Sequence, residues 1–127
     1  VLDDSYNSNP EAAAGALEAF AKLPGSPRIA VLGDMLELGE SAEAEHAALG
    51  ERAARTGLQA LVAVGSYAHA LVRGAARGGM DPGRLAAVPT AGEAYSALAG
   101  FLSPGAVILL KGSRRVGLER ILKEMGS

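Results

Sequence analysis

The sequence predicts an α/β domain of three layers, Rossmann-like, in which a mostly parallel twisted sheet is flanked by helices. Three observations point there. Short, continuous apolar runs recur at 28–32, 60–64, 85–88 and 106–110. Runs of that kind, without polar alternation, mark strands buried on both faces, as in parallel sheets. An alanine-rich stretch of helical period separates each run from the next, and strand–helix alternation calls for right-handed crossovers. Polar loops fall at what would be the carboxyl ends of the strands, where ligands bind in such sheets.

In order, Val1-Leu2 opens the chain as a short strand. It leads into Asp3-Asp4-Ser5-Tyr6-Asn7-Ser8-Asn9-Pro10, a cluster of hydrogen-bonding side chains closed by a proline. Asn9 suits an N-cap and Pro10 the first helical position, where a missing N–H costs nothing. The helix they open carries Ala14, Leu17, Phe20 and Ala21 at helical spacing and ends near Lys22, before Leu23-Pro24-Gly25-Ser26-Pro27 turns the chain. The strand Arg28–Leu32 empties into Gly33-Asp34-Met35-Leu36-Glu37-Leu38-Gly39-Glu40. Ser41 is placed to cap a second helix reaching about Thr56, with Glu43 and Glu45 at its positive end and Gly57 stopping it. The third strand is Ala60–Val64, followed by a helix from Tyr67 to Arg77. A weaker strand at Leu85–Val88 precedes a helix from Ala91 to about Phe101 with Thr90 as cap. The most hydrophobic strand, Ala106–Leu110, runs into Lys111-Gly112-Ser113-Arg114-Arg115 and a closing helix over 116–125.

Composition narrows the function. One domain fits 127 residues, and 49% apolar with 20% charged residues is globular rather than disordered. Seventeen glycines, many alanines and no tryptophan point to close packing by small side chains. A net charge of −2 excludes the basic footprint of a nucleic-acid binder. Without cysteine there is no disulfide framework, thiolate metal site or cysteine nucleophile, which fits a cytoplasmic protein. No apolar run reaches bilayer length, so no membrane partner is expected. A start on Val1, directly at a strand, reads as the C-terminal piece of something longer.

The opening cluster has more polar groups than a cap requires. Asp4 and Asn7 suit a ribose hydroxyl or a base edge, against the alternative of an elaborate cap. Lys111 follows five apolar residues and so sits at the mouth of the sheet, with Ser113 and Arg114 at a helix start where anions are favoured; a carboxylate or phosphate is the natural ligand. Asp34 and Glu37 flank an exposed-looking Met35-Leu36 pair. They either hold an ammonium or a magnesium-bound phosphate, or belong to a helix lead-in whose apolar residues fold back on the core. His46 and His69 have no partner at ligand spacing and read as structural or solvent-facing; Tyr67 and Tyr95 read as packing residues. No G-x-x-x-x-G-K-[ST] or G-x-G-x-x-G phosphate cradle occurs, and no Ser-His-Asp order or metal-ligand cluster is apparent. A phosphorelay receiver domain would share Asp3, Asp4 and Lys111, but it needs an aspartate where this chain has Val64-Gly65-Ser66, which excludes it.

Three stretches together resemble one family: Asp3 to Pro10; Val31 to Gly39 with His46 seven residues on; and Leu110-Lys111-Gly112-Ser113-Arg114. They are similar to the C-terminal domain of the Mur ligases, in the branch that adds D-alanyl-D-alanine to UDP-N-acetylmuramoyl-tripeptide in peptidoglycan synthesis. Ser8 and Ala12 depart from residues common there. The resemblance implies that residues 1–127 are the last domain of a three-domain, ATP-dependent, amide-forming ligase working through an acyl phosphate. Its partners would be the tripeptide nucleotide, D-alanyl-D-alanine and its own N-terminal and central domains, the central one holding most of the Mg2+ chemistry. Carried over by position, Asp4, Tyr6 and Asn7 fall to the nucleotide. Lys111, Ser113 and Arg114 fall to the dipeptide carboxylate or the transferring phosphoryl group, and Asp34 and Met35 to the acceptor side. No catalytic residue and no metal ligand is assigned to this domain alone, which by itself would be inactive. The alternative is a non-catalytic Rossmann-like module binding a nucleotide or anion.

Overall fold

A computed structural model describes residues 2–4, 10–22, 24, 27–35, 38–102 and 106–111. Its elements follow in chain order: β1 (Leu2–Asp4), α1 (Pro10–Ala21), β2 (Arg28–Leu32), α2 (Ala42–Ala54), β3 (Ala60–Val64), α3 (Ala68–Arg77), β4 (Leu85–Val88), α4 (Ala91–Ala99) and β5 (Val107–Lys111). Two 3₁₀ turns, Gly39–Ser41 and Pro82–Arg84, lead into α2 and β4. The five strands form one parallel sheet in the order β1-β5-β2-β3-β4.

That order explains where the helices lie. Steps from β1 to β2, β3 and β4 all advance in one direction across the sheet, and right-handed crossovers then put α1, α2 and α3 on the same face. The step from β4 back to β5 reverses direction, so α4 covers the opposite face. The two cores agree. Leu17 and Phe20 of α1, Leu49 and Ala53 of α2, and Leu71 and Ala75 of α3 pack with Leu32, Leu61 and Leu109. Ala91, Ala94 and Leu98 of α4 pack with Ile29, Val31, Val62, Val64 and Leu110. Alternate residues of each strand thus serve opposite layers, which is why the runs are continuously apolar. Each fully buried Leu or Phe among them contributes about 1.5–3 kcal/mol.

Glycine matters most between α2 and α3. A Cβ at Gly50 would lie 2.1 Å from the carbonyl oxygen of Leu71, and one at Gly74 would lie 1.9 Å from that of Ala47. The two helices therefore touch backbone to backbone at reciprocal glycines. Exposed ion pairs, Glu18–Arg52 between α1 and α2 (2.7 Å) and Glu43–Arg73 between α2 and α3, add little to this packing.

Strands β2, β3 and β4 match the expected ranges, and Thr90 caps α4 by accepting the Glu93 N–H. Several boundaries move: α3 starts at Ala68 rather than Tyr67, and α4 ends at Ala99 rather than near Phe101. β1 includes Asp3 and Asp4, and β5 includes Lys111, because the pairs Asp3–Leu110 and Asp4–Lys111 extend the ladder into residues that read as loop. Helix α2 ends at Ala54, two residues short. Ser41 stands at its N-cap position but does not cap it; its hydroxyl donates to Leu38 O (2.9 Å), as the preceding 3₁₀ turn requires. The expected helix over 116–125 lies outside the described residues.

Candidate functional site

The carboxyl ends of β1, β5 and β2 finish in one row. Asp4 pairs with Lys111, Lys111 pairs with Leu32, and the Gly33 N–H then donates to Lys111 O at 2.7 Å. Crossovers that leave the same end of a parallel sheet bring their loops together there, the usual place for a ligand. The buried polar side chains among the described residues gather at this end as well. They are Asp34 (6% exposed), His46 (0%) and Lys111 (2%).

Asp34 follows Gly33 where β2 runs out. Its two carboxylate oxygens accept the Ser66 N–H and the Tyr67 N–H, each at 2.9 Å. The turn that receives them belongs to the neighbouring crossover, β3 to α3. Tyr67, at the N-cap position, makes no side-chain cap of its own, so Asp34 supplies from β2 the acceptor that the positive end of α3 lacks. Gly65 makes this approach possible. It sits at φ +114°, and a Cβ there would be 2.6 Å from the Asp34 carboxylate.

The next residue is held from the other side. The Met35 N–H donates to His46 Nε2 at 2.9 Å, and His46 Nδ1 lies 2.6 Å from Ala42 O. Because Nε2 accepts, Nδ1 carries the proton and donates to the carbonyl; the two partners select the neutral Nδ1–H tautomer. The imidazole also stacks on Tyr67, ring centroids 4.5 Å apart and planes 18° from parallel. Met35 itself is 1% exposed and packs in the α1–α3 core rather than facing solvent. Its apolar chain follows the fold-back alternative, because the amide clamp turns it inward.

The second sequence motif therefore forms one interlocked unit in which Asp34 and Met35 have internal partners. His46 is fully buried with both ring nitrogens bonded rather than solvent-facing, and His69 is exposed on α3. That Asp34 would cap the start of α3 was not legible from spacing. The signal available was a helix, α3, with no capping side chain of its own beside a strand that ends in an aspartate. Lys111 lies within the last rung of β5. Leu109 belongs to the α1–α3 core and Leu110 to the α4 core, so strand alternation sends Lys111 to the α1–α3 side. Tyr6, Asn7, Ser113 and Arg114 lie outside the described residues, and Asp4 is placed by its backbone register. Among the described residues no group of three His, Asp or Glu side chains could hold a metal ion, so no step is assigned to Mg2+ here. No helix among them is long and apolar enough to cross a membrane.

Residues 1–114 match the family described as Mur ligase, glutamate ligase domain. The chain belongs to this Mur ligase family. Among its relatives, the UDP-N-acetylmuramoyl-tripeptide–D-alanyl-D-alanine ligase of Escherichia coli (strain K12) is 32% identical over 127 residues, covering 98% of this chain and 26% of that protein. The enzyme of the same name from Mycobacterium tuberculosis (strain H37Rv) is 38% identical over 136 residues, covering 93% of this chain and 27% of the relative. A crystal structure of MurF from Acinetobacter baumannii superimposes with a TM-score of 0.84 at 32% identity, over 96% of this chain and 27% of that one. MurF ligase from Thermotoga maritima, in complex with ADP, does so at 0.74 and 30%, over 94% and 26%. The chain thus spans about a quarter of the length of these Mur ligases, and the fold expectation of a flanked parallel sheet holds.

Proposed function

We propose that residues 1–127 act as the C-terminal domain of a three-domain, ATP-dependent ligase of the cytoplasm, which joins D-alanyl-D-alanine to UDP-N-acetylmuramoyl-tripeptide in peptidoglycan synthesis. The observation that carries this reading is the row Asp4–Lys111–Leu32, which aligns the ends of all three family-like motifs at one edge of the sheet. The names of the relatives at 32–38% identity supply the substrates. ATP supplies the phosphoryl group: the tripeptide carboxylate attacks its γ-phosphorus, ADP leaves, the dipeptide amine attacks the acyl carbon, and phosphate leaves. In this domain, Asp4, Tyr6 and Asn7 are assigned to the nucleotide by resemblance, with Asp4 and Asn7 also suited to a ribose hydroxyl or base edge. Lys111, Ser113 and Arg114 are assigned to the dipeptide carboxylate or the moving phosphoryl group, where cations and helix-start amides stabilise anions. Asp34 and Met35 shape the acceptor side through the backbone of the loop they anchor. Mg2+ falls to the other domains. Closure over them would exclude water from a hydrolysable acyl phosphate.

The test is phosphate release by the full-length protein. It should require ATP, the tripeptide nucleotide and D-alanyl-D-alanine together. No phosphate release under any combination of the three would favour the alternative of a non-catalytic nucleotide- or anion-binding module.

A further inference from the structure

The geometry points to His46 as a positioning residue for the acceptor side, acting through the Met35 backbone as a tautomer-selective clamp; this deepens the ligase reading and rests on it. Five contacts, four hydrogen bonds and one ring stack, meet within one unit. Asp34 ties the start of the loop after β2 to α3 through the Ser66 and Tyr67 amides. His46 ties the next residue to α2 through the Met35 amide, and Ala42 O fixes which imidazole nitrogen accepts. Tyr67 closes the unit by stacking on the imidazole. Two successive residues are thus bound to two different helices immediately beyond the rung that holds Lys111. A hydrophobic core needs no such arrangement: a fully buried imidazole between two backbone partners is costly to place unless both are satisfied. An apolar residue of the same size would fill the space but leave the buried Met35 N–H unpaired. What the imidazole adds is direction, since it fixes where the loop backbone leaves β2 relative to Lys111.

The experiment compares His46→Phe, which keeps the ring but loses both hydrogen bonds, with His46→Gln, whose amide oxygen can still accept the Met35 N–H. Steady-state ligation by the full-length protein is measured alongside thermal melting. The expected result is a KM for D-alanyl-D-alanine raised at least tenfold in His46→Phe, with the KM for ATP unchanged and most of the loss recovered in His46→Gln. A merely structural histidine would lower the melting temperature and the active fraction while leaving both KM values alone. That outcome, or equal KM effects for Phe and Gln, overturns the proposal. If the unmodified protein ligates and His46→Phe keeps its dipeptide KM, the clamp role alone fails. If the unmodified protein does not ligate, the proposed function fails and the acceptor-side role falls with it.

Discussion

Replacing Gly74 with alanine tests how the clamp is supported. A Cβ at Gly74 would stand 1.9 Å from the Ala47 carbonyl oxygen, against about 3.3 Å for an ordinary carbon–oxygen approach, so α2 and α3 must part by roughly 1.4 Å. The obstructing atoms are backbone, so no side-chain rotation relieves them. Overpacking of this kind costs about 3 kcal/mol, and the better helix propensity of alanine returns about 1 kcal/mol. The net loss is about 2 kcal/mol. With an unfolding entropy of about 2.1 cal/mol/K per residue over 127 residues, Tm should fall by roughly 7 °C. Gly15 supplies the opposite sign: it lies inside α1, exposed, with nothing within 4 Å of its would-be Cβ. Gly15→Ala should therefore gain about 0.8 kcal/mol and raise Tm by roughly 3 °C. Calorimetric melts of both variants decide the matter. If Gly74→Ala is as stabilising as Gly15→Ala, the helices do not touch as described. The support inferred for the His46–Tyr67 stack between them would then be gone.

Asp34→Ala should lose about 2–3 kcal/mol in urea unfolding, because two amides at the start of α3 lose a charged acceptor; Asp34→Asn, which keeps one oxygen, should lose about half as much. Gly65→Ala should approach the same loss, since its Cβ would displace the Asp34 carboxylate and its backbone sits at φ +114°; a wild-type melting curve for it would contradict the geometry. If the full-length protein is the ligase proposed, Arg114→Ala should raise its KM for D-alanyl-D-alanine about tenfold with the ATP KM unchanged, from the loss of a charge-assisted carboxylate contact; an unaltered dipeptide KM would remove Arg114 from that role. Titration of the chain, followed by amide NMR shifts, should show dipeptide effects at Gly112 to Arg114 and ATP effects at Asp4 to Asn7. Shifts confined to another surface would overturn the site map.

Local pattern alone placed β2, β3 and β4 to the residue and put helices between them, because unbroken apolar runs and alanine-rich helical spacing are short-range properties. The motif residues also sufficed to indicate the family. The ends of β1 and β5 were not legible, since Asp4 becomes strand by pairing with Lys111, and Lys111 by pairing with Asp4 on one side and Leu32 on the other. Ser41 misled for a related reason: the 3₁₀ turn before α2 redirects its hydroxyl to Leu38 O.

The amino-acid sequence by itself determined the strand–helix alternation, the parallel class of the sheet and membership of the Mur ligase family. The tertiary structure alone decided that β5 inserts between β1 and β2, which creates the row Asp4–Lys111–Leu32. It also decided the partners of Asp34, 32 and 33 residues away in the chain, and of His46, 11 residues away. A carboxylate reads the same in sequence whether it meets a ligand or a neighbouring turn. Only the crossover that brings the start of α3 against the end of β2 gives Asp34 its two amides, and only the placement of α2 beside that same strand end brings the imidazole within hydrogen-bond reach of the Met35 N–H.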